Sequence, residues 1–415
     1  MIKNDNKMFM NTTMLLIMNV AKLIFPLLTL PYLTRILSID SYGVVAYVKS
    51  IMTYMQVFVD FGFVLSGTKE IVQNRGDLEK VGKIIGNAML GKLILASIGT
   101  IFLIILASLI PILDGYLLYL FLSQVAVFIS CFFFEYLFRG IEQMHVITIR
   151  FVIMKVISTG LTFVFVKSDA DMLWIPFLDI VSYFVAAVLT IKQIQKMGLK
   201  IKITSFKPVL LSLKSSFFYF LSNMASTAFN VLNTLLIGIF SSASDVAFWS
   251  VCLQLINAVQ NVYPSISDGI YPQMVKTKDF SIVTRILKIF MPIITLGCVF
   301  TILVSKYVLM IVGGAEYEVA APILRGLVPV LFFSFLTYML GWPSLGVIGK
   351  VNETTKTTVY SALFQICGLL LLAVTDRFSL INIAILRSIT EGLLAFLRGR
   401  YCYKYRDEFE KKVKL

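Results

Sequence analysis

The sequence predicts an all-α polytopic membrane protein of about 12 transmembrane helices, in two parallel six-helix lobes around a central cavity. Composition supports this prediction, because 58% of the 415 residues are hydrophobic and only 14% are charged, against roughly 25% charged residues in a soluble domain. The mean hydropathy is +0.87. Apolar stretches of about 20 residues, each able to cross about 30 Å of hydrocarbon, recur along the chain.

Twelve such stretches lie between charged residues or Gly and Pro punctuation, and each is long enough to form a spanning helix. The predicted spans are residues 9–34, 42–65, 84–109, 114–138, 146–167, 172–194, 216–240, 244–272, 286–311, 320–345, 355–375 and 379–402. The first is too long for a signal-peptide core and lacks a small-residue cleavage site, so we expect it to remain as a membrane helix.

The charge distribution predicts the orientation in the membrane. Most of the 37 Lys and Arg residues lie in the N-terminus, the even-numbered loops and the C-terminal tail. By the positive-inside rule, both termini and the basic loop from Lys192 to Lys214 face the cytoplasm. The net charge of +14 is therefore mostly a topology signal. Because the cations are spread over many short loops, they do not indicate nucleic-acid binding.

The loop after the sixth span divides the chain into a first lobe, residues 1–200, and a second lobe, residues 201–415. Six spans is an even number, so the halves are expected to be parallel repeats. The second and eighth spans open similarly, at Ser41–Ala46 and Asp245–Ser250. Near their other ends, Asp60–Gly62 matches Asp268–Gly269. These matches predict that corresponding helices of the two halves have the same role.

One face of the second span is polar within an apolar run. Lys49, Thr53, Gln56 and Asp60 follow at intervals of four, three and four residues, which places them on one side of a helix. A Lys or Asp at the centre of a spanning helix costs about 2.5–3.5 kcal/mol, so this stripe predicts a hydrated cavity. We expect Lys49 to contact substrate and Asp60 to be a gating or helix-end residue.

Similar stripes occur on three further spans, at helical spacing. They comprise Asn19, Lys22, Pro26 and Thr29 on the first span, Asn223, Thr227, Asn230 and Thr234 on the seventh, and Gln254, Asn257, Asn261, Pro264 and Asp268 on the eighth. Their hydroxyl and amide groups both donate and accept, which suits sugar hydroxyls. Hydrogen bonding between helices is the alternative interpretation.

The deep charges of the first half are mostly positive. Lys22, Lys49 and Lys155 face a single comparably deep acid, Asp179. This excess predicts a positive cavity that suits a phosphate or pyrophosphate group, with structural pairing of the lysines as the alternative. In the last span, Arg387 and Glu391 have the i,i+4 spacing of an ion pair within a helix.

Reactive residue types are scarce. His145 is the only histidine, so histidine triads and histidine-ligated metal sites lack their residues. No Gly-rich loop ending in GK[ST] is present, which argues against a bound nucleotide. The cysteines are single, without metal spacing, and read as small apolar residues. We expect no cofactor and no metal, and we expect ion coupling or gating to involve Asp60, Asp179, Asp268, Arg387 or Glu391.

Several loose motifs follow one another in a fairly specific order and spacing. They are PLLTLPYLTRIL at residues 26–37, DFGFVLSGTKEI at 60–71, FRGIEQM at 138–144, YP at 271–272 and GAEY at 314–317. Together they resemble the Wzx-type flippases of bacterial O-antigen and capsule repeat units. The resemblance covers nearly the whole chain. It implies the multidrug/oligosaccharidyl-lipid/polysaccharide exporter fold, although it carries no strict catalytic signature.

The resemblance also implies a function, which is flipping of an undecaprenyl-diphosphate-linked oligosaccharide across the bacterial plasma (inner) membrane. The expected partners are that substrate, membrane lipids, and the polymerase and chain-length proteins of the same pathway. Three alternatives stay open. A cation-coupled multidrug exporter of the same superfamily would need an acidic pocket, whereas a membrane polysaccharide polymerase would need a large external loop. A membrane partner without transport activity is the third alternative.

Overall fold

The chain folds into helices joined by short turns. The computed structural model describes residues 2–204 and 206–409, without the side chains of residues 2–9, 222, 225, 226 and 228–230. Within these residues there is no β-strand. The Cα positions divide into two compact units, Met1–Ser244 and Asp245–Leu415. This division differs from the two sets of six spans, whose boundary at residue 200 stays a prediction about the repeat.

The first unit contains nine α-helices in its described part. They are α1 (Ile2–Ile36), α2 (Ile39–Asp60), α3 (Phe63–Gln73), α4 (Leu78–Ala107), α5 (Leu117–Ser130), α6 (Glu135–Gly140), α7 (Met144–Phe165), α8 (Trp174–Lys196) and α9 (Phe206–Phe240). Short 3-10 turns at Pro111–Leu113, Cys131–Phe133 and Asp169–Asp171 connect some of them. Thus α9, the predicted seventh span, groups with the first six spans.

The second unit follows from the end of α9. Its helices are α10 (Ala243–Gln260), α11 (Tyr263–Thr277), α12 (Phe280–Gly313), α13 (Ala321–Leu327), α14 (Pro329–Leu340), α15 (Val351–Val374) and α16 (Leu380–Lys404). Turns of 3-10 helix lie at Ala315–Ala320 and Arg406–Glu408, and a π-helical turn at Gly341–Gly346 follows α14. A small aromatic core in this unit packs Tyr263 against Phe335, with ring centroids 5.1 Å apart.

Ten helices or helix pairs in the described ranges are long and apolar enough to cross a membrane. They correspond to the first six and the last four predicted spans, so the protein is an all-α, multi-pass membrane protein. In α9 only the segment Val231–Phe240 qualifies as a shorter apolar helix. The eighth predicted span is divided between α10 and α11.

The second span is broken between α2 and α3. Phe61 has φ 42° and Gly62 has φ 76°, so the helix ends in a left-handed turn that glycine adopts without strain. A methyl group on Gly62 would also lie 2.6 Å from Cβ of Tyr219 in α9. The glycine is therefore needed both for the turn and for the close approach of α9.

The eighth span breaks at Asn261–Val262, 200 residues after the break at Phe61–Gly62. Pro264 lies in the first turn of α11, and its ring nitrogen cannot donate to the preceding helical turn. The expected match of Asp60 with Asp268 is therefore wrong in position. Asp60 is the last residue of α2, whereas Asp268 lies inside α11. The two spans correspond at their helix breaks, and the Asp-Gly pairs lie at different distances from those breaks.

Candidate functional site: a cationic cavity in the first unit

A cavity of about 420 Å³ opens within the first unit. Helices α1, α2, α5, α7 and α8 supply its walls, and the predicted α2 stripe contributes Lys49, Thr53 and Gln56 to the lining. Helix α2 begins at a Ser38 cap, whose hydroxyl accepts from the Ser41 amide at 3.3 Å. From that start, the 3.6-residue repeat carries the stripe along one face.

Two ammonium groups face this space. Lys49 of α2 and Lys155 of α7 both line the cavity, and they are close enough to act on each other electrostatically. Among the described residues, neither ammonium has an ion-pair or hydrogen-bond partner. Lys49 is exposed and Lys155 half-buried in this space. Because a cation inside a membrane protein needs water or a counter-charge, such groups indicate a place for an anion.

Asp179 of α8 is the acid in the cavity lining. Its Oδ1 accepts a hydrogen bond from Ser158 Oγ at 2.6 Å. It acts electrostatically on Lys49, as Lys155 does. The charged residues of the lining are two lysines and one aspartate, so the cavity has a formal charge of +1.

Hydroxyl groups form much of the remaining polar surface. Thr53 donates to the Lys49 carbonyl at 2.9 Å, and Thr162 donates to the Ser158 carbonyl at 2.7 Å. A hydroxyl whose proton is used in this way keeps acceptor lone pairs. The walls consequently present acceptors, which can receive hydrogen bonds from the hydroxyls of a sugar.

One end of the α2 stripe continues into an ion pair. Gln56 lines the cavity and donates to Asp60 Oδ2 at 3.0 Å, while Lys92 of α4 lies 2.7 Å from Asp60 Oδ1. The Lys92 side chain is only 6% exposed. Both oxygens of Asp60 are thus engaged where α2 ends, in keeping with a helix-end position, and its proposed gating role stays a prediction.

The structure places Lys22 and Asn19 outside the cavity lining. Both are exposed on α1, and the Lys22 ammonium lies 5.8 Å from the centre of the Phe151 ring. The charges that act on Lys22 are those of Glu135 and Arg139. Pro26 and Thr29 of the same α1 face do line the cavity, so Lys22 lies beyond the lining along α1, and substrate contact at Lys22 and Asn19 stays a prediction.

Sequence reasoning missed Arg150. It lies inside the predicted span 146–167 but was not counted among the deep charges, and the structure places it in α7 with only 6% exposure. Its Nη1 donates to the Phe133 carbonyl at 2.6 Å, and its guanidinium lies 4.3 Å from the centre of the Phe133 ring. The helical turn at Phe134, which has φ 46°, leaves that carbonyl available.

The predicted ion pair of the last span is present in the second unit. Arg387 Nη1 lies 3.2 Å from Glu391 Oε2, and both side chains are 5% exposed. Glu391 Oε1 accepts from Thr337 Oγ1 at 3.1 Å. Arg398, a second residue that sequence reasoning missed, donates to the Thr337 carbonyl at 2.6 Å. Buried in this way, the group holds α14 and α16 together.

The predicted stripes on the seventh and eighth spans lie outside the first-unit cavity. Asn257, Asn261 and Asp268 are exposed and Gln254 is half-buried. In the described part of the chain, their side chains make no hydrogen bond. Asn223 and Thr227 are half-buried. The side chain of Asn230 is outside the described residues. Substrate contact at the six Asn, Gln and Thr positions and ion coupling or gating by Asp268 stay predictions.

Comparison with known proteins gives relatives of the same length. A 25% identical relative over 403 residues, from Escherichia coli strain K12, carries the name O-antigen transporter; the match covers 95% of this chain and 97% of the relative. A second O-antigen transporter, from Shigella dysenteriae, is 28% identical over 272 residues, 65% of this chain and 68% of the relative. These relatives are named as transporters and not as enzymes.

Two solved structures show the same fold. An inward-facing multidrug resistance MATE family transporter of the MOP superfamily has a TM-score of 0.73 at 13% identity, over 96% of each chain. The lipid II flippase MurJ in an inward closed conformation has a TM-score of 0.73 at 14% identity, over 97% of this chain and 89% of its own. A family model described as "Polysaccharide biosynthesis protein" matches residues 8–278. The chain therefore belongs to the polysaccharide biosynthesis protein family.

Proposed function

We propose that this protein is a flippase for an undecaprenyl-diphosphate-linked oligosaccharide repeat unit, which it moves from the inner to the outer leaflet of the bacterial plasma membrane. The observation that carries this proposal is the pair of unpaired ammonium groups, Lys49 and Lys155, in the first-unit cavity. Membership of the polysaccharide biosynthesis family supports it. So do the relatives named as O-antigen transporters.

The chemistry of the cavity matches a diphosphate headgroup. A diphosphate brings at least two negative charges, and charge-assisted hydrogen bonds from ammonium groups stabilise them strongly where water is scarce. The hydroxyl acceptors of Thr53 and Thr162 suit the sugar next to the diphosphate. A cavity of about 420 Å³ accommodates a headgroup while the polyprenyl tail stays in the bilayer.

The proposed cycle is alternating access with both termini in the cytoplasm, as the positive-inside pattern predicts. Substrate would be loaded from the cytoplasmic side. The products would be used outside the membrane by the polymerase and chain-length proteins of the same pathway. Of the five residues predicted for ion coupling or gating, Asp179 lines the cavity, whereas Asp60, Arg387 and Glu391 are held in ion pairs.

The fold alone is also compatible with a multidrug exporter, since a MATE transporter shares it. A cationic drug, however, would meet a formal charge of +1 in this cavity. Like charges in a poorly hydrated site repel by several kcal/mol. The cavity therefore favours an anionic substrate, and a drug-resistance assay in a pump-deleted host is expected to show no protection.

The test is the double substitution Lys49→Ala/Lys155→Ala in the native host, with surface polysaccharide measured by gel and protein level by immunoblot. We expect surface polysaccharide to fall at least tenfold at normal protein level, because the diphosphate loses both cations. Lys306→Ala is the matched control, since this lysine pairs with Glu318 on the second unit at 2.8 Å. Unchanged polysaccharide in the double variant would contradict the proposal.

A further inference from the structure

Asp179 differs from the other deep carboxylates in how it is satisfied. Asp60 has a partner on each oxygen, Lys92 and Gln56, and so does Glu391. In contrast, within the described residues the Asp179 carboxylate has the single partner Ser158, on Oδ1. Its other oxygen is left toward a cavity that also holds two ammonium groups. A carboxylate needed only for packing would be expected to have both oxygens bonded.

We propose that Asp179 is a resident counter-ion that lowers the affinity of the cavity for the diphosphate headgroup, so that the headgroup is released after translocation. This inference rests on the proposed function. A transported ligand must be bound strongly enough to enter and weakly enough to leave. Two unopposed lysines in a low-dielectric cavity would hold a multiply charged anion too tightly for turnover. One fixed negative charge beside them repels the headgroup and reduces that affinity.

Ser158 has a positioning role in this arrangement. Its hydroxyl donates to Asp179 Oδ1 at 2.6 Å. This hydrogen bond between α7 and α8 holds the carboxylate away from a direct ion pair with either lysine. Among described residues, no nitrogen to oxygen contact of 4.0 Å or less joins Asp179 to Lys49 or Lys155. The lysines thus stay available for the substrate, while the negative charge still acts on them through space.

Three variants of the full-length protein in lipid nanodiscs test the inference, with farnesyl diphosphate as the probe and farnesol as its uncharged control. Asp179→Asn is expected to lower the Kd for farnesyl diphosphate about tenfold, which corresponds to about 1.4 kcal/mol. In proteoliposomes, the same variant is expected to flip lipid-linked oligosaccharide more slowly. Asp179→Glu keeps the charge and is expected to bind within about threefold of the unmodified protein.

The third variant, Ser158→Ala, is expected to act in the opposite direction. Without the hydroxyl, the carboxylate turns toward the lysines, so the Kd for farnesyl diphosphate should rise. A purely structural role of Asp179 would shift the thermal midpoint and weaken binding in both Asp179→Asn and Ser158→Ala. Weaker binding of farnesyl diphosphate in both variants, or an unchanged Kd in Asp179→Asn, would overturn the proposal that Asp179 is a counter-ion.

The two proposals fail differently in this experiment. If the unmodified protein and Asp179→Asn both bind farnesyl diphosphate no better than farnesol, the cavity is not a diphosphate site and the proposed function falls with the counter-ion. If the unmodified protein binds the diphosphate and Lys49→Ala abolishes binding, the function stands. In that case, the direction in which Asp179→Asn changes the Kd for farnesyl diphosphate tests only the counter-ion role of Asp179.

Discussion

The first-unit cavity and the buried ion pair of the second unit use the same residue types in opposite ways. Arg387 and Glu391 lie 3.2 Å apart, each 5% exposed, and Thr337 completes the carboxylate. Lys49 and Lys155 instead face open space without a partner in the described chain. All four side chains are costly in a membrane.

The difference shows how to distinguish structural from functional charges in a membrane protein. Where opposite charges pair and their remaining polar atoms are hydrogen-bonded, the charges stabilise one packing of the helices. Where ammonium groups line a cavity unpaired, folding gains nothing from them, and a ligand is the natural counter-charge. Substitutions should therefore reduce stability in the second unit and binding in the first.

The largest effect on stability is expected from Glu391→Gln. This change leaves Arg387 buried without the carboxylate 3.2 Å away, and breaking such a pair from one side costs about 3–5 kcal/mol. Thermal unfolding in detergent should show a clearly lower midpoint. Removing both charges in Arg387→Met/Glu391→Leu should recover most of the loss, because apolar residues of similar size replace buried pairs well.

Lys49→Met is the matched comparison in the first unit. It removes an ammonium that has no ion-pair partner among the described residues, so the midpoint should stay the same or rise. A drop as large as that of Glu391→Gln would mean that the lysine is structural, and the contrast between the two regions would be lost.

The sequence predicted the α2 part of the site because helical geometry is local. Lys49, Thr53 and Gln56 share a face wherever α2 lies, and the structure places all three in the cavity. Their meeting with Lys155 and Asp179 depends on how α7 and α8 pack. The charge excess of the first half indicated a positive cavity, but it did not show which of the charged residues meet there.

The misses follow from the same limit. Lys22 shares a helix face with Pro26 and Thr29, which do line the cavity, but Lys22 lies earlier on α1, beyond the lining. Arg150 was missed among the deep charges because the sequence does not show that the Phe133 carbonyl accepts a hydrogen bond from its buried guanidinium. The break before α11 did have a local signal, since Pro264 removes a hydrogen bond of a continuous helix.

An intermediate effect is expected from Lys92→Met, which removes the partner of Asp60. The Asp60 side chain is 28% exposed and still accepts from Gln56, so water and the amide reduce the penalty to about 1–3 kcal/mol. The thermal midpoint should fall less than in Glu391→Gln. Lys92→Met/Asp60→Asn should restore it, and failure of that rescue would show that Lys92 stabilises the fold through contacts other than the ion pair.

The smallest effect is expected from Thr53→Val, which keeps the shape of the side chain and removes its hydroxyl. That hydroxyl donates to the Lys49 carbonyl at 2.9 Å and offers its lone pairs to the cavity, where a neutral hydrogen bond is worth about 0.5–1.5 kcal/mol. Flipping of lipid-linked oligosaccharide in proteoliposomes should slow about two- to tenfold, with an unchanged thermal midpoint. Thr301→Val is the control, because Thr301 makes the same bond, to the Gly297 carbonyl at 2.8 Å, on a half-buried position of α12 outside the cavity. Equal slowing in the two variants would mean that the helix responds to the lost backbone contact and that the sugar does not meet Thr53.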